Sequence, residues 1–301
     1  MKICFITHNL PFGTYEAFII PEIKHIIKSG HDLTIIPFLP EGEIVHEDSK
    51  ELVEYSIKLP LLNGRIIIGA VREILRNPLT VLRSVVPIGK SRTLVTFIKN
   101  LAVIPKALWL ADYLRRRGVP DHIHVHWINA SATMAMLTAA MLEIPWSITA
   151  HRKDITVDNL IREKVRLCAF VRCINENGAN EIQSISDQRD KIRVLHMGVE
   201  IPGETEIKPI KAAGEPYSFK IVMPANFVEV KGHNYLVEAV KLLRLQGEAL
   251  QVDLAGQGDL KSRIESQVSE AGLTDCVNFL GQVSHAELLA RLFAGFYDCV
   301  V

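Results

Sequence analysis

The chain has 301 residues, of which 48% are hydrophobic, and its 34 basic side chains balance 34 acidic ones. This length predicts about two domains with buried cores. The zero net charge does not point to a partner, and we expect no nucleic acid among the partners. Five cysteines without a CxxC pair indicate reduced thiols. No run reaches the roughly 20 apolar residues that span a bilayer, so we expect a cytoplasmic protein.

The first part of the chain is predicted to form a βαβ unit. Residues 2–7 (KICFIT) form the first predicted strand, and a loop with Pro11 and Gly13 follows. A helix is predicted over residues 15–29, because apolar residues recur on one face and Gly30 stands at the end. Residues 33–38 form the second predicted strand. Such a unit implies a parallel sheet with right-handed crossovers.

Residues 61–118 interrupt this alternation. They are predicted to form consecutive helices separated at Pro78, Pro87 and Pro105, and they carry eleven basic residues against two acidic ones. Basic amphipathic helices can lie on an anionic membrane surface, which predicts a peripheral contact at the inner face of the membrane. An ordinary helical insertion whose arginines face water is the alternative.

Strands and helices alternate again from residue 122. Strands are predicted over residues 123–127, 146–150, 170–174 and 192–196, with helices over 130–142, 157–167 and 176–184. We therefore expect a doubly wound N-terminal domain of seven parallel strands over residues 1–198. Residues 199–217, rich in Pro and Gly, are predicted to form an interdomain linker.

A second, smaller domain is predicted over residues 218–301. Strands over 219–224, 250–255 and 276–280 alternate with helices over 233–245, 260–271 and 285–293. Residues 297–301 look like the start of a further strand with an unpaired edge, so we expect a piece of a longer protein. The predicted fold class is α/β, with two Rossmann-like, doubly wound parallel-sheet domains, the second of three or four strands and incomplete.

Three histidines are candidates for a metal site. His124 and His126 are separated by one residue on a strand, so both imidazoles point to the same face of the sheet. With His151 they could hold a metal, but Asp154 is the only further ligand in view. Parallel strands often bury histidines that are satisfied by hydrogen bonds, so we expect no metal and no cofactor.

His151 is the better candidate for chemistry. It follows the strand predicted over residues 146–150, at the carboxyl edge where open α/β sheets bind ligands. A neutral imidazole there could hydrogen-bond a polar substrate, and the neighbouring Arg152 and Lys153 favour the neutral form and attract phosphate. A loop histidine without a role is the alternative.

Two loops of the second domain have the features of phosphate sites. Lys231 and Gly232 stand between a strand and a helix N-terminus, where anions are favoured. Gly256 and Gly258 close the next strand and open another helix, and small residues there let backbone amides approach a ligand. A surface lysine at the start of a helix is the alternative for Lys231.

Together these segments resemble the family 4 glycosyltransferases, a group 1 type that includes exopolysaccharide and lipopolysaccharide enzymes. The runs that carry the resemblance are NFVEVKGHNYLVEAVKLL, KIRVLHMGVEIP, AGQGDLKSRIESQVSEAGLTDCVNFLGQVSHAELLARLFA and HIHVHWINASATMAMLTAAMLEIPWSITAHRKDI. The resemblance spans nearly the whole chain apart from residues 41–118. It implies the GT-B fold, with two Rossmann-like domains facing a cleft, a nucleotide-sugar donor on the second domain and an acceptor on the first.

The resemblance also implies roles for single residues. Lys231 would meet the donor diphosphate and stabilise the leaving nucleotide, His151 would contact the donor sugar near the reacting carbon, and Gly13 would lie in a loop facing the phosphates or the acceptor. Further donor-binding positions would be Asn226, Gly232, Gly256, Gly258 and Val283. Family members retain the anomeric configuration and need no metal. The resemblance thus implies a retaining hexosyltransferase with a lipid-linked or polysaccharide acceptor.

Two departures from the family pattern leave alternatives open. Asn226 stands where the family has a phosphate-binding arginine, and charge-assisted contacts are roughly twice as strong as neutral ones. The family's Glu-x7-Glu motif would lie beyond Val301, so we expect the chain as given to lack it. A catalytically impaired nucleotide-binding or interaction module is therefore the main alternative, and a metal-dependent hydrolase and a sugar-nucleotide epimerase are others.

Overall fold

The computed structural model describes residues 1–13, 16–198 and 218–301. The chain divides into an N-terminal unit, Met1–Glu200, and a C-terminal unit, Ile201–Val301. Each unit is an α/β structure with its own parallel sheet and its own apolar core. The predicted linker, residues 199–217, lies outside the described residues, so the domain boundaries stay a prediction.

The N-terminal unit is built on a parallel sheet. Its strands are β1 (Lys2–Thr7), β2 (Asp32–Pro37), β3 (His122–His126), β4 (Trp146–Ala150), β5 (Phe170–Cys173) and β6 (Ile192–Val194). They lie in the order β2-β1-β3-β4-β5-β6. The expected count of seven strands is wrong, because the predicted ranges number six and the described residues form these six, with only an isolated bridge from Ser56 to Ile35 beside β2.

Helices cover both faces of this sheet. They are α1 (Ile20–Lys28), α2 (Gly64–Arg76), α3 (Pro78–Val85), α4 (Leu94–Arg117), α5 (Ala130–Leu142), α6 (Arg152–Ile155), α7 (Ile161–Leu167) and α8 (Glu176–Ile185). Helix α1 begins later than predicted, after a short 3-10 turn over Ala17–Ile19. The helix predicted over 157–167 is also wrong in part, because Asp158 and Leu160 have φ of 47° and 56°, which a right-handed helix excludes.

The prediction of consecutive helices over residues 61–118 is confirmed except at Pro105, which lies inside α4 and does not end it, and these helices belong to the core. Helix α2 packs on α4, and α4 packs on α5. Gly69 permits the first of these contacts, since a Cβ atom there would lie 2.7 Å from the Trp109 ring. Ile66 and Val103 are buried in the main apolar cluster. This segment is therefore an integral layer of the N-terminal unit.

Part of the positive charge of this layer is neutralised internally. Glu73 and Asp112 are fully buried. Arg76 and Arg115 lie 3.3 and 3.2 Å from Glu73, and Arg116 lies 2.9 Å from Asp112. Buried carboxylates are stable only when such partners compensate them. These arginines thus stabilise the packing of α2 on α4, in addition to any contact with solvent.

By length and composition alone, helix α4 is apolar enough to cross a membrane, contrary to our expectation for the chain. Half of its most apolar window is buried inside the unit. Lys106, at its centre, is fully buried and donates hydrogen bonds to the carbonyls of Pro37, Phe38 and Leu59. Core helices pass the same composition test, so α4 is weak evidence for a membrane span.

The C-terminal unit repeats the alternation on a smaller scale. Its elements are β7 (Phe219–Pro224), α9 (His233–Leu245), β8 (Leu250–Ala255), α10 (Lys261–Glu270), β9 (Val277–Gly281), α11 (His285–Phe293) and β10 (Cys299–Val300). The strands are parallel and lie in the order β10-β7-β8-β9. A two-residue strand therefore forms within the predicted residues 297–301, beside β7, and the described residues of this sheet make four strands.

Candidate active-site residues

Two predicted residues of the N-terminal unit lie at one edge of its sheet. His151 directly follows β4, and the loop with Gly13 follows β1. Strand β3 lies between β1 and β4, and the chain order reverses between β1 and β3. Open α/β sheets bind ligands outside the carboxyl ends of their strands at such a reversal. Both residues therefore lie at the edge where a ligand is expected.

Aromatic rings enclose the His151 imidazole, which is 7% exposed. The Trp127 ring lies 4.3 Å from it, centroid to centroid, and the Phe18 ring meets it edge-on at 5.3 Å. Trp127 has a φ of 77°, a conformation that costs a non-glycine residue about 1–3 kcal/mol and persists only where its surroundings fix it. The aromatic wall beside His151 is thus rigidly placed.

A chain of polar contacts runs from His151 into the unit. His151 Nε2 lies 3.3 Å from Nδ1 of His126, and Nε2 of His126 lies 3.5 Å from Oε1 of Glu22. The other oxygen of Glu22 accepts a 2.6 Å hydrogen bond from Arg172. Glu22, on α1, and Arg172, on β5, were not predicted to take part.

Burial and charge set the protonation of this chain. Burial is the main cause that lowers the pKa of His151 to about 3. Burial alone would raise the pKa of Glu22, but the contacts with His126 and Arg172 lower it to about 2. At neutral pH the chain therefore joins a neutral imidazole at His151 to an ionised carboxylate at Glu22.

The metal site considered from the sequence has a different composition in the structure. Glu22, His124 and His126 bring their ligand atoms within 4.8 Å of one another, without His151. His124, however, already contacts the hydroxyls of Ser147 and Thr149 through its two ring nitrogens, at 2.8 and 3.0 Å. The guanidinium of Arg172 on Glu22 also opposes a cation there. The expectation that no metal is needed stays a prediction.

Glu16 holds the loop that contains Gly13. Its carboxylate accepts hydrogen bonds from the backbone N–H groups of His8, Asn9 and Leu10 at 2.8–2.9 Å, and from the indole of Trp127 at 2.6 Å. This carboxylate, 2% exposed, therefore ties the ends of β1 and β3 together. Three successive amides in one loop form a natural anion site, and here a side chain of the protein itself occupies it.

Asp154 and Lys164 hold the turn that follows His151 through hydrogen bonds to the backbone. Asp154 accepts hydrogen bonds from the backbone N–H groups of His151, at 2.8 Å, and of Ile128. Burial raises the pKa of Asp154 to about 7. Lys164 is fully buried nearby and donates to three backbone carbonyls, those of Ile128, Asn129 and Asn159. These contacts fasten β3, β4 and α7 to one another behind the histidine.

In the C-terminal unit the predicted donor-binding residues follow three neighbouring strands. Asn226, Lys231 and Gly232 follow β7, Gly256 and Gly258 follow β8, and Val283 follows β9. Because these strands are parallel, all three loops lie at one edge of the sheet. Asn226 and Lys231 are exposed, and no ion pair of Lys231 occurs within the residues the structure describes.

Gly256 and Gly258, which were predicted to line a phosphate site, lie against backbone carbonyls rather than open space. A Cβ atom on Gly256 would lie 2.2 Å from the Ala225 carbonyl, and one on Gly258 would lie 2.5 Å from the Phe227 carbonyl. The Gly256 N–H already donates to Gly281. The prediction that these glycines let amides approach a ligand is therefore corrected for Gly256, whose neighbours are the loop after β7 and the end of β9.

Residues 205–301 match the family model described as glycosyl transferases group 1. The chain is also 24% identical to the amylovoran biosynthesis glycosyltransferase AmsK of Erwinia amylovora over 294 residues, which are 93% of this chain and 70% of that protein. The family match covers all the donor-binding positions predicted in the C-terminal unit, and the relative extends the similarity through the N-terminal unit.

Two solved structures share the fold. One is the apo form of the lipopolysaccharide outer core galactosyltransferase WaaB, with 13% identity and a TM-score of 0.63 over 100% of this chain and 73% of that one. The other is HepE of Anabaena in complex with UDP-glucose, with 13% identity, a TM-score of 0.63 and the same coverage. Identities this low establish the fold alone, which is GT-B.

The three comparisons agree with the resemblance read from the motifs around Lys231 and His151. The family model and the relative are both of glycosyltransferases, and the solved structures share the fold. The chain therefore carries a group 1 glycosyltransferase domain over residues 205–301 and resembles the enzymes of that group.

Proposed function

We propose that the chain is a retaining glycosyltransferase that moves a sugar from a nucleotide-sugar donor to a lipid-linked or polysaccharide acceptor. The observation that carries the proposal is the row of loops after β7, β8 and β9, inside the segment that matches the family model. UDP-glucose is bound in the related structure of HepE, which makes UDP-sugars the first donors to try.

In this proposal Lys231 neutralises the donor diphosphate. Its ammonium group is exposed at the end of a 3-10 turn and immediately precedes Gly232, the N-cap of α9. A cation there stabilises negative charge as the nucleotide leaves. No metal ion is required for this role, so a chelator is expected to leave the activity unchanged.

His151 is proposed to contact the donor sugar as a neutral hydrogen-bonding group. A pKa of about 3 means that its imidazole is not a proton donor of the imidazolium type near neutral pH. The rings around it restrict the side chain to one orientation. Such a group can orient a sugar hydroxyl, which is a contribution of position rather than of acid catalysis.

The acceptor is proposed to be presented at a membrane surface that α2, α3 and the start of α4 contact. These helices expose apolar side chains on the outside of the unit: Ile67, Ile68, Val71, Leu75, Leu79, Leu82, Leu94, Val95 and Ile98. In α2 they repeat at helical spacing on the side opposite to the buried Ile66 and Glu73. Exposed apolar surface on this scale supports membrane contact.

Vesicle sedimentation tests the membrane contact. Because several cations of this layer are bound to Glu73 and Asp112, we expect binding to anionic vesicles that depends on apolar side chains and persists in part at high salt. Leu75→Glu should reduce it. Leu245→Glu is the matched control, since the two leucines are 78% and 77% exposed. Equal loss in both variants, or no binding by the unchanged protein, would remove the membrane from the proposal.

The enzymatic proposal is tested with UDP-sugars and a membrane extract as the source of acceptor. Transfer of labelled sugar, with an α-linked product from an α-linked donor, is the expected result, and inversion would contradict retention. The alternative of a nucleotide-binding module is favoured by one observation, the neutral Asn226 at the predicted phosphate site. Binding of UDP without turnover of any donor would support that module instead.

A further inference from the structure

The polar contacts that run from His151 through His126 end at the charged carboxylate of Glu22. They join His151 Nε2 to His126 Nδ1 at 3.3 Å and His126 Nε2 to Glu22 Oε1 at 3.5 Å. We infer that Glu22 and His126 are positioning residues that fix His151 in its Nε2–H tautomer, with Nδ1 left as a bare acceptor nitrogen. The inference deepens the proposed function and rests on it only for the role of His151 toward a donor sugar.

The orientation of the Glu22 carboxylate is set by Arg172. Arg172 has only donors, and it directs one N–H to Oε2 of Glu22 and others to the backbone carbonyls of Leu195 and His196. Its side chain is therefore anchored at three points. One oxygen of Glu22 is occupied by the guanidinium, and the remaining oxygen faces His126.

The tautomer of His126 follows from that carboxylate. His126 is fully buried, and its Nε2 has no hydrogen-bond partner at bonding geometry in the described part of the chain. At 3.5 Å the contact with Glu22 is longer than a formed hydrogen bond of roughly 2.9 Å, so it acts through charge. A lone pair on Nε2 would be repelled by the carboxylate and an N–H is attracted, so the proton resides on Nε2.

His126 is neutral in this arrangement. Arg172 already compensates the single charge of Glu22, and a second buried cation would lack a counter-charge. A neutral His126 with its proton on Nε2 has a bare Nδ1, which can only accept. His151 must therefore donate from its Nε2, and its own Nδ1 is left without a proton.

His124 does not compete for this chain. Its Nδ1 and Nε2 contact the hydroxyls of Ser147 and Thr149. The hydroxyl groups can adapt to either tautomer, since each both donates and accepts. The polar contacts thus link Glu22 to His151 through His126, and a donor sugar would meet an acceptor nitrogen on His151 rather than an N–H group.

The substitution Glu22→Gln tests this assignment of the ring protons, because glutamine has nearly the same shape as glutamate. Arg172 needs an acceptor, so the Gln carbonyl should turn to it and the Gln amide N–H₂ should face His126. Nε2 of His126 would then have to accept, and both histidines are expected to change to the Nδ1–H tautomer. Nitrogen NMR of the full chain with ¹⁵N-labelled histidine distinguishes the two tautomers and the imidazolium form.

Glu163→Gln is the matched control. Glu163 is a buried carboxylate, at 6% exposure against 23% for the side chain of Glu22, and is likewise paired with cations, Lys90 and Arg166, away from the histidines. The inference holds if His126 and His151 are Nε2–H in the unchanged protein and in the control and change together in Glu22→Gln. An imidazolium at His126, an Nδ1–H tautomer at His151 in the unchanged protein, or tautomers that stay the same in Glu22→Gln would overturn it.

Calorimetry with UDP-glucose and with UDP separates this inference from the proposed function. If His151 contacts the sugar, Glu22→Gln should weaken UDP-glucose binding by about tenfold, the size expected for one misdirected hydrogen bond, and leave UDP binding unchanged. The same tautomer change with unaltered UDP-glucose binding would contradict the sugar contact proposed for His151. It would leave the positioning of His151 by Glu22 established.

Discussion

The two units organise their candidate residues in opposite ways. In the N-terminal unit His151 is 7% exposed, and rings, a histidine and a carboxylate hold it in place. In the C-terminal unit Lys231 is exposed and free of ion pairs in the described residues, and what is held in place is the backbone around it. The first region is closely packed around its candidate side chain, and the second presents an exposed cation beside closely packed backbone.

This difference predicts where each region is sensitive. A long cation such as Lys231 loses rotamer freedom on binding, but removing it should not disturb the fold. Substitutions in the closely packed regions should instead lower the free energy of unfolding, because the contacts there contribute to stability. Substitutions can therefore separate binding from folding in the C-terminal unit, whereas in the N-terminal unit the two are coupled through the histidines.

The largest effect is expected for Gly256→Ala. Its Cβ atom would lie 2.2 Å from a backbone carbonyl, so the loop after β7 would have to move, at a cost of about 3 kcal/mol in the free energy of unfolding. Gly272→Ala is the control, because that glycine has a φ of 67° but open space around it, and should cost only about 1 kcal/mol. Hydrogen exchange of the β8 amides measures both, and equal costs would refute the close-contact argument.

Acidification should affect the N-terminal unit more than the C-terminal one. Burial lowers the pKa of His124 and His151 to about 3, so their contribution to stability is present above the ordinary pKa near 6.5 and is lost as the pH falls toward 3. Glu22, with a pKa of about 2, loses its contribution below about pH 4.5. Asp154, with a pKa raised to about 7, changes in the opposite sense and offsets part of this loss.

Tryptophan fluorescence follows the N-terminal unit alone, since Trp109, Trp127 and Trp146 all belong to it. We expect its thermal midpoint to fall between pH 7 and pH 4, and to fall less in His124→Gln, which removes one of the buried imidazoles. His25→Gln, at an exposed position of α1, should leave the pH dependence unchanged. A midpoint with the same pH dependence in all three proteins would show that these histidines do not control acid stability.

A smaller effect is expected for Lys231→Ala. Loss of one charge-assisted contact should weaken UDP binding by about tenfold, or about 1.4 kcal/mol, without change in the unfolding midpoint. Lys241→Ala is the control, because Lys241 is exposed on α9 two turns beyond the N-terminus of that helix. Calorimetry with UDP gives both values. Unchanged binding in Lys231→Ala would show that the diphosphate is bound elsewhere.

Local patterns predicted the elements well and their long-range partners poorly. Helix α5 and strand β4 have the predicted bounds, since their apolar runs stop at clear signals such as the Asn129 cap. His151 was placed correctly because strand order fixes which edge a loop occupies. Glu22 was missed because it meets Arg172 across 150 residues of sequence, and helical periodicity identifies a face but not the side chain opposite it.

The same limit explains the glycines after β8. Their spacing is typical of loops that approach a phosphate, but close approach requires glycine for any neighbour, and here the neighbours are the carbonyls of Ala225 and Phe227. Sequence alone cannot distinguish a glycine that makes room for a ligand from one that makes room for backbone. The exposed polar positions on the preceding loop, Asn226 and Lys231, are therefore the better guides to binding.

The smallest effect is expected at Asn226, where the sequence departs from the pattern of the family that it resembles. Asn226→Arg would supply the charge that the family resemblance implies at this position, and a second cation near Lys231 should tighten UDP binding by about fivefold, or about 1 kcal/mol. Gln246→Arg adds the same charge at the far end of α9 and should have no effect. If both variants bind UDP more tightly, the gain reflects net charge. If neither does, the diphosphate lies outside the reach of residue 226, and the neutral side chain there carries no cost for the enzyme.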